Sequence, residues 1–156
     1  MRRKNDRGLK NAAPARLVAG AILVSAAWIS TVTETVPDAA NLSGVLSHVR
    51  DGDTLEVDGI AVRLRGITCD EHGPLADAAT HRVRAFLGGP AACRLNGERN
   101  RDRLIGWCSA GGQDIGAMLV REGLCGRCPR YDPENTYTEI AGQVRWEGEM
   151  PAYCSP

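Results

Sequence analysis

Between residues 45 and 67 the chain sets short apolar and β-branched runs against two Asp-Gly pairs, Asp51-Gly52 and Asp58-Gly59. Asp-Gly between such runs is a hairpin signal, because both central positions of a type I′ turn need positive φ. The pattern predicts a three-stranded antiparallel meander over about 45–50, 53–58 and 60–67. Beyond it the period becomes helical. His72-Gly73-Pro74 ends the meander, then Leu75, Ala79, Val83 and Phe86 recur on one face until Gly88-Gly89-Pro90. Two more strands are expected over 91–95 and 103–109, on either side of a polar loop at 96–102. A second helix is expected over 114–122, with Ile115, Met118 and Leu119 inward and Gly123 just past its end. A turn-rich stretch follows, and a short helix is expected over about 137–147.

The start of the chain has a different pattern. Residues 1–16 carry Arg2, Arg3, Lys4, Arg7, Lys10 and Arg16 against Asp6, and the apolar segment 17–33 that follows has no charge. A basic region before an apolar one is the layout of a signal peptide. The same segment would also serve as an uncleaved membrane anchor with snorkelling arginines. Either way the positive flank stays inside and the body is exported, to the periplasm, the exterior or the membrane surface. A buried helix of the domain is the bland alternative. Residues 34–42, with Pro37, are expected to link this leader to one domain at 43–135, with a tail at 136–156.

Charge and cysteines narrow the reading. The net charge is zero, but setting aside the six basic residues and one acid of 1–16 leaves 13 basic against 18 acidic. All of those 13 are arginine. An acidic body does not form the basic stripe of a non-specific nucleic-acid clamp. An aromatic content of 4% argues against a broad base-stacking platform. Six cysteines, Cys69, Cys93, Cys108, Cys125, Cys128 and Cys154, agree with export and favour disulfides, with connectivity open. A zinc site on Cys125-x-x-Cys128 is the weaker rival, because no second pair accompanies it. Counting symmetrically about the polar loop sets Cys93 opposite Cys108.

Four segments occur in a recognisable order. They are D-G-D-T-L from Asp51, V-R-L-R-G-I-T-C-D-E from Val62, D-R-L-I-G from Asp102, and D-I-G-A-M-L-V-R-E-G-L from Asp114. Across about residues 44–131 this resembles the staphylococcal-nuclease-like (thermonuclease) family. The resemblance implies an α+β, mainly β fold: a five-stranded OB-type barrel with two to three packed helices. It also implies a calcium-dependent endonuclease that hydrolyses phosphodiester bonds of DNA or RNA; separately, the chain is expected to be a monomer. Carried over by position, Arg63, Glu71 and Arg103 would be catalytic and Asp53 would bind the metal.

The residue types suit that chemistry. Arginine's planar fork donates to two phosphate oxygens and stays charged at any relevant pH. A glutamate can take a proton from the attacking water. A hard cation takes oxygen ligands and offsets charge on the phosphate. Outside the resemblance the same side chains have plain readings: Asp51 and Asp53 as turn acids, Arg63 and Arg65 as solvated strand residues, Glu71 as a helix-start charge. Arg65 keeps its plain reading even with the resemblance.

The departures from the family pattern are specific. Thr68 stands where a second metal-binding aspartate is usual, and Asp70, two residues on, is the candidate replacement. The wording before Arg103 is also altered, to N-R-D-R. The resemblance further implies a Cys69–Cys125 bridge between the third strand and the end of the second helix, which would leave Cys128 for Cys154. Two other functions stay open: a catalytically weak or inactive module binding nucleic acid or protein, and a disulfide-held structural protein of the envelope.

Overall fold

A computed structural model describes residues 40–155 of the chain. The basic stretch 1–16, the expected signal or anchor segment 17–33 and residues 34–39 of the expected linker lie outside these residues. Among the described residues no helix is long and apolar enough to cross a membrane.

The fold is mainly β with three α-helices. Five strands carry it: β1 (Asn41–Asp51), β2 (Thr54–Val57) and β3 (Ile60–Leu64), then, after a two-residue β4 (Ile67–Thr68) outside the main sheet and helix α1 (Pro74–Arg84), β5 (Pro90–Asn100) and β6 (Arg103–Ala110). A short β7 (Gln113–Asp114) leads into α2 (Ile115–Arg121), and β8 (Gly126–Arg127) pairs with β4. Helix α3 (Thr138–Gln143) and a single turn at Ala152–Cys154 finish the chain.

The main sheet closes on itself. β1, β2 and β3 form the expected meander, β5 pairs with β1, β6 pairs with β5, and β3 meets β6 in parallel through Val62↔Leu104, Arg63↔Ile105 and Leu64↔Gly106. Strand order around the ring is therefore β1–β2–β3–β6–β5 and back to β1. Gly106 sits where β3, β5 and β6 converge, and a Cβ there would lie 2.5 Å from the Arg94 carbonyl oxygen. Only glycine permits that approach.

Inside the ring, Leu46, Val49, Leu55, Val57, Val62 and Leu64 are buried, and α1 adds Ala79 and Val83. Helix α2 adds Ile115, Met118, Leu119 and Val120. Its start is capped by Asp114, whose Oδ1 accepts from Ala117 N at 2.7 Å, as suits an N-cap acid. Its end has Gly123 at φ 67°, the left-handed position expected of a C′ glycine. Tyr137 is buried beneath α2, and burial, followed by the charge of Asp114, pushes its phenol well above the ordinary tyrosine range.

Several boundaries differ from expectation, each for a local reason. β1 begins at Asn41, two residues inside the expected linker, because Asn41 and Leu42 pair with Arg94 and Cys93. Asp58-Gly59 is the expected tight turn, with φ 48° and 79°. Asp51-Gly52 is not. Gly52 has no left-handed backbone; its Cβ would fall 2.6 Å from Ala79 Cβ and 3.1 Å from Cys69 Sγ. That glycine answers close packing, not turn type. The third strand of the meander is interrupted at Gly66, at φ 80°, which splits it into β3 and β4.

The expected loop 96–102 is largely strand. β5 continues to Asn100 past a bulge where Gly97 has φ 82° and Asn96 Oδ1 accepts from Glu98 N at 3.0 Å. α1 ends at Arg84 rather than Leu87, and α3 is shorter than 137–147, giving way to extended backbone at Val144.

The cysteines form three disulfides, Cys69–Cys125, Cys93–Cys108 and Cys128–Cys154. Cys93 and Cys108 are register partners across β5 and β6. With Cys125 and Cys128 both bridged, no thiolate of that C-x-x-C is left for zinc. Between Arg127 and Tyr137 the chain is organised by a buried carboxylate: Asp132 accepts from Arg127 Nε at 2.6 Å, Thr136 N at 2.8 Å and Tyr137 N at 3.2 Å.

Candidate active site

A groove of about 840 Å³ opens where the β1–β2 turn, the end of β3, the segment after β4 and the β5–β6 hairpin meet. It is lined by Asp53, Arg63, Asp70, Glu71 and Arg103 among others. Five of the six residues named from sequence for catalysis or metal binding thus come together. Thr68 is the exception.

Asp53 leaves the β1–β2 turn nearly buried, at 5% exposure. Its backbone N–H donates to Asp51 Oδ1 at 3.1 Å, so Asp51 is the turn acid it was read as. The Asp53 carboxylate is fully engaged: it forms an ion pair with Arg63, accepts from Thr54 Oγ1 at 3.1 Å and accepts from Cys69 N at 3.3 Å. Arg63 projects from β3 with its side chain 17% exposed. Burial is the main influence on its guanidinium and pulls its pKa down. The nearby charge of Arg103 adds to that, while Tyr153, Asp51 and Glu71 oppose it.

Arg103 begins β6, one strand over from Arg63 in the parallel β3–β6 pairing. Its Nη1 donates to Thr54 Oγ1 at 3.2 Å and its Nη2 to Asn100 Oδ1 at 3.0 Å. Thr54 therefore links the two arginines, with Asp53 on one side and Arg103 on the other. Glu71 lies exposed on the segment after β4 and has no ion pair among the described residues. Its carboxylate is the most open to water of the set, Asp70 being half-buried and Asp53 buried.

No family model matches the chain, and no curated protein matches it. The groove has to be read from its own atoms.

Calcium takes about six to eight oxygen ligands. The described residues contain no group of three or more carboxylate, histidine or cysteine side chains placed to hold a metal. Asp53 is tied to Arg63, and Asp70 Oδ1 accepts from Glu149 N at 3.1 Å. Thr68 is fully buried, and its hydroxyl meets Tyr153 Oη at 3.3 Å. Among the described residues these side chains alone offer too few free carboxylate oxygens to make up such a set. Titration of the purified protein with Ca²⁺ is expected to show no binding tighter than about 1 mM, the weak end of calcium sites. Micromolar affinity by calorimetry would contradict this.

Two features of the groove have no counterpart in the sequence reading. Arg65 is not a solvated strand residue. It is 12% exposed, pairs with Glu134 at 3.2 Å and Glu98 at 3.6 Å, and lies over the Trp107 ring at 5.1 Å. It ties β3 to the loop before α3. The far wall comes from the last third of the chain, as Arg130, Tyr131 and Tyr153. Cys154 was the available signal for Tyr153, because pinning the tail through Cys128 also fixes its neighbour.

Proposed function

We propose that this chain is an exported hydrolase of nucleic-acid phosphodiesters, with an OB-type barrel of the staphylococcal-nuclease-like kind. The observation that carries the reading is the convergence of Arg63, Arg103 and Glu71 on one groove from three separate stretches of chain. The ring order β1–β2–β3–β6–β5 supports the barrel. The three disulfides and the basic-then-apolar leader sequence support export.

In this reading a phosphodiester of DNA or RNA seats its non-bridging oxygens between Arg63 and Arg103. Glu71 accepts a proton from a water molecule whose oxygen attacks phosphorus opposite the leaving oxygen. The P–O bond to the leaving group breaks, and that oxygen takes a proton from solvent. Negative charge gathers on the equatorial oxygens, where the two guanidinium groups already stand. Asp53 holds Arg63 in orientation and Thr54 does the same for Arg103. No step passes through a metal.

One observation favours a second reading, a binding module without turnover. Arg63 is paired with Asp53, so a substrate phosphate must share or displace that contact. One assay separates the two. The purified full-length chain is incubated with labelled single-stranded DNA and RNA, with added Ca²⁺ or with chelator. Cleavage that rises with protein and survives repurification supports the hydrolase. Retention of intact oligonucleotide supports the binding module.

A further inference from the structure

The groove owes one wall to the tail. Glu149 N donates to Asp70, and Cys154, wholly buried, is bridged to Cys128. Tyr153 is fixed between these ties on the one-turn segment Ala152–Cys154, where Cys154 N donates to the Pro151 carbonyl at 2.9 Å. It is 46% exposed and lines the same groove as Arg63, Glu71 and Arg103. Its ring meets Tyr131 at 6.4 Å between centroids and 56° between planes.

The hydroxyl of Tyr153 has one partner among the described residues, the Thr68 hydroxyl at 3.3 Å. Thr68 is fully buried in β4, and that contact is also the one its own hydroxyl makes. Each of these hydroxyls has one proton to donate. If Thr68 donates, the phenol proton is released toward the groove. A phenol is the stronger acid of the two and the better donor to an anion, and a chain in which each hydroxyl donates onward strengthens both bonds. In the phosphodiester reading the groove is where an anion would sit, because Arg63 and Arg103 line it.

We propose that Tyr153 is a substrate-contacting residue: its phenol O–H donates to a phosphoryl oxygen of the bound phosphodiester, and Thr68 donates to Tyr153 behind it. The assignment rests on the phosphodiester reading above. Thr68, at the position where the family pattern has a carboxylate, acts here as a positioning residue in a hydrogen-bond relay. The tail disulfide Cys128–Cys154 becomes part of the site, since it delivers the phenol.

The test uses the full-length chain and a fluorophore-labelled oligothymidylate, with binding read by anisotropy, cleavage by gel and folding by thermal melting. Tyr153→Phe removes one oxygen and keeps the ring. A hydrogen bond to a charged group predicts roughly tenfold weaker binding and at least an equal loss of cleavage. The melting midpoint falls too, because the buried Thr68 hydroxyl loses its one partner among the described residues. Thr68→Val added to Tyr153→Phe is expected to restore the midpoint without restoring binding. Thr68→Val is expected to weaken binding less, and to add nothing once Tyr153→Phe is present. Wild-type affinity in Tyr153→Phe overturns the assignment, whatever cleavage does. So does binding that recovers along with the midpoint when Thr68→Val is added to Tyr153→Phe, because Tyr153 would then be only a prop for β4. Binding that weakens in Tyr153→Phe, in a protein that never cleaves, keeps Tyr153 as an anion contact and removes the hydrolase reading. A wild-type chain that binds no oligothymidylate removes both.

Discussion

Replacing Arg63 with lysine is expected to lower phosphodiester cleavage by a hundredfold or more while leaving the protein folded. Removing one positioned donor to a developing oxyanion costs about 2.7–4 kcal/mol of transition-state stabilisation, or roughly two to three powers of ten in rate. Lysine keeps the positive charge but replaces a planar two-pronged donor with a point charge on a flexible stem. The choice of lysine matters because of Asp53. That carboxylate is 5% exposed and has Arg63 as its counter-charge. Arg63→Ala would strand it, and breaking a buried pair from one side costs on the order of 3–5 kcal/mol of stability. The alanine variant should therefore lose both turnover and thermal stability, and the lysine variant turnover alone. Single-turnover kinetics beside thermal melts separate the two effects. Near wild-type turnover in a folded Arg63→Lys protein would remove Arg63 from the proposed chemistry.

The same pairing explains what could be read from sequence and what could not. Arg63 and Asp53 were legible because each lies beside turn chemistry that acts over a few residues. Asp58-Gly59 closes a two-residue hairpin, which sets the β2–β3 register and places Arg63 opposite Thr54. The Cys93–Cys108 pairing was legible by counting, since antiparallel register is symmetric about its turn. Gly52 misled because a glycine that permits close packing looks, in sequence, like one that permits a turn. Arg65 misled because alternation along a strand separates faces but does not say what covers them. Glu134, Glu98 and Trp107 reach it from distant segments. The parallel contact of β3 with β6 closes the ring, and no local periodicity encodes it. Tyr153 was hidden for the same reason: a disulfide holds it in place, and the residues around it in sequence do not.

Replacing Cys69 and Cys125 together by alanine is expected to be the most destabilising of the three disulfide removals, and to impair the site as well. The three bridges close segments with sequence separations of 56, 26 and 15 residues. Chain-entropy estimates give about 4 kcal/mol for the longest, about 3.5 for the tail bridge and about 3 for Cys93–Cys108. Together they are of the order of the whole stability of a domain this size, about 5–15 kcal/mol, so full reduction should abolish cooperative unfolding. The longest bridge carries a second burden. Cys69 N donates to Asp53, and Cys69 Sγ packs against Gly52 in the turn that presents Asp53. Loosening Cys69 should let that turn relax and Arg63 drift, so cleavage falls by more than the population of unfolded protein explains. Denaturant titration of the Cys69→Ala/Cys125→Ala and Cys93→Ala/Cys108→Ala pairs, with activity measured well below each midpoint, gives both quantities. A smaller stability loss for the Cys69–Cys125 pair than for the Cys93–Cys108 pair would refute the entropic ordering. Full activity in the folded Cys69→Ala/Cys125→Ala protein would show that the turn holds Asp53 and Arg63 without the bridge. In that case the ion pair itself, not the covalent tie behind it, organises the groove.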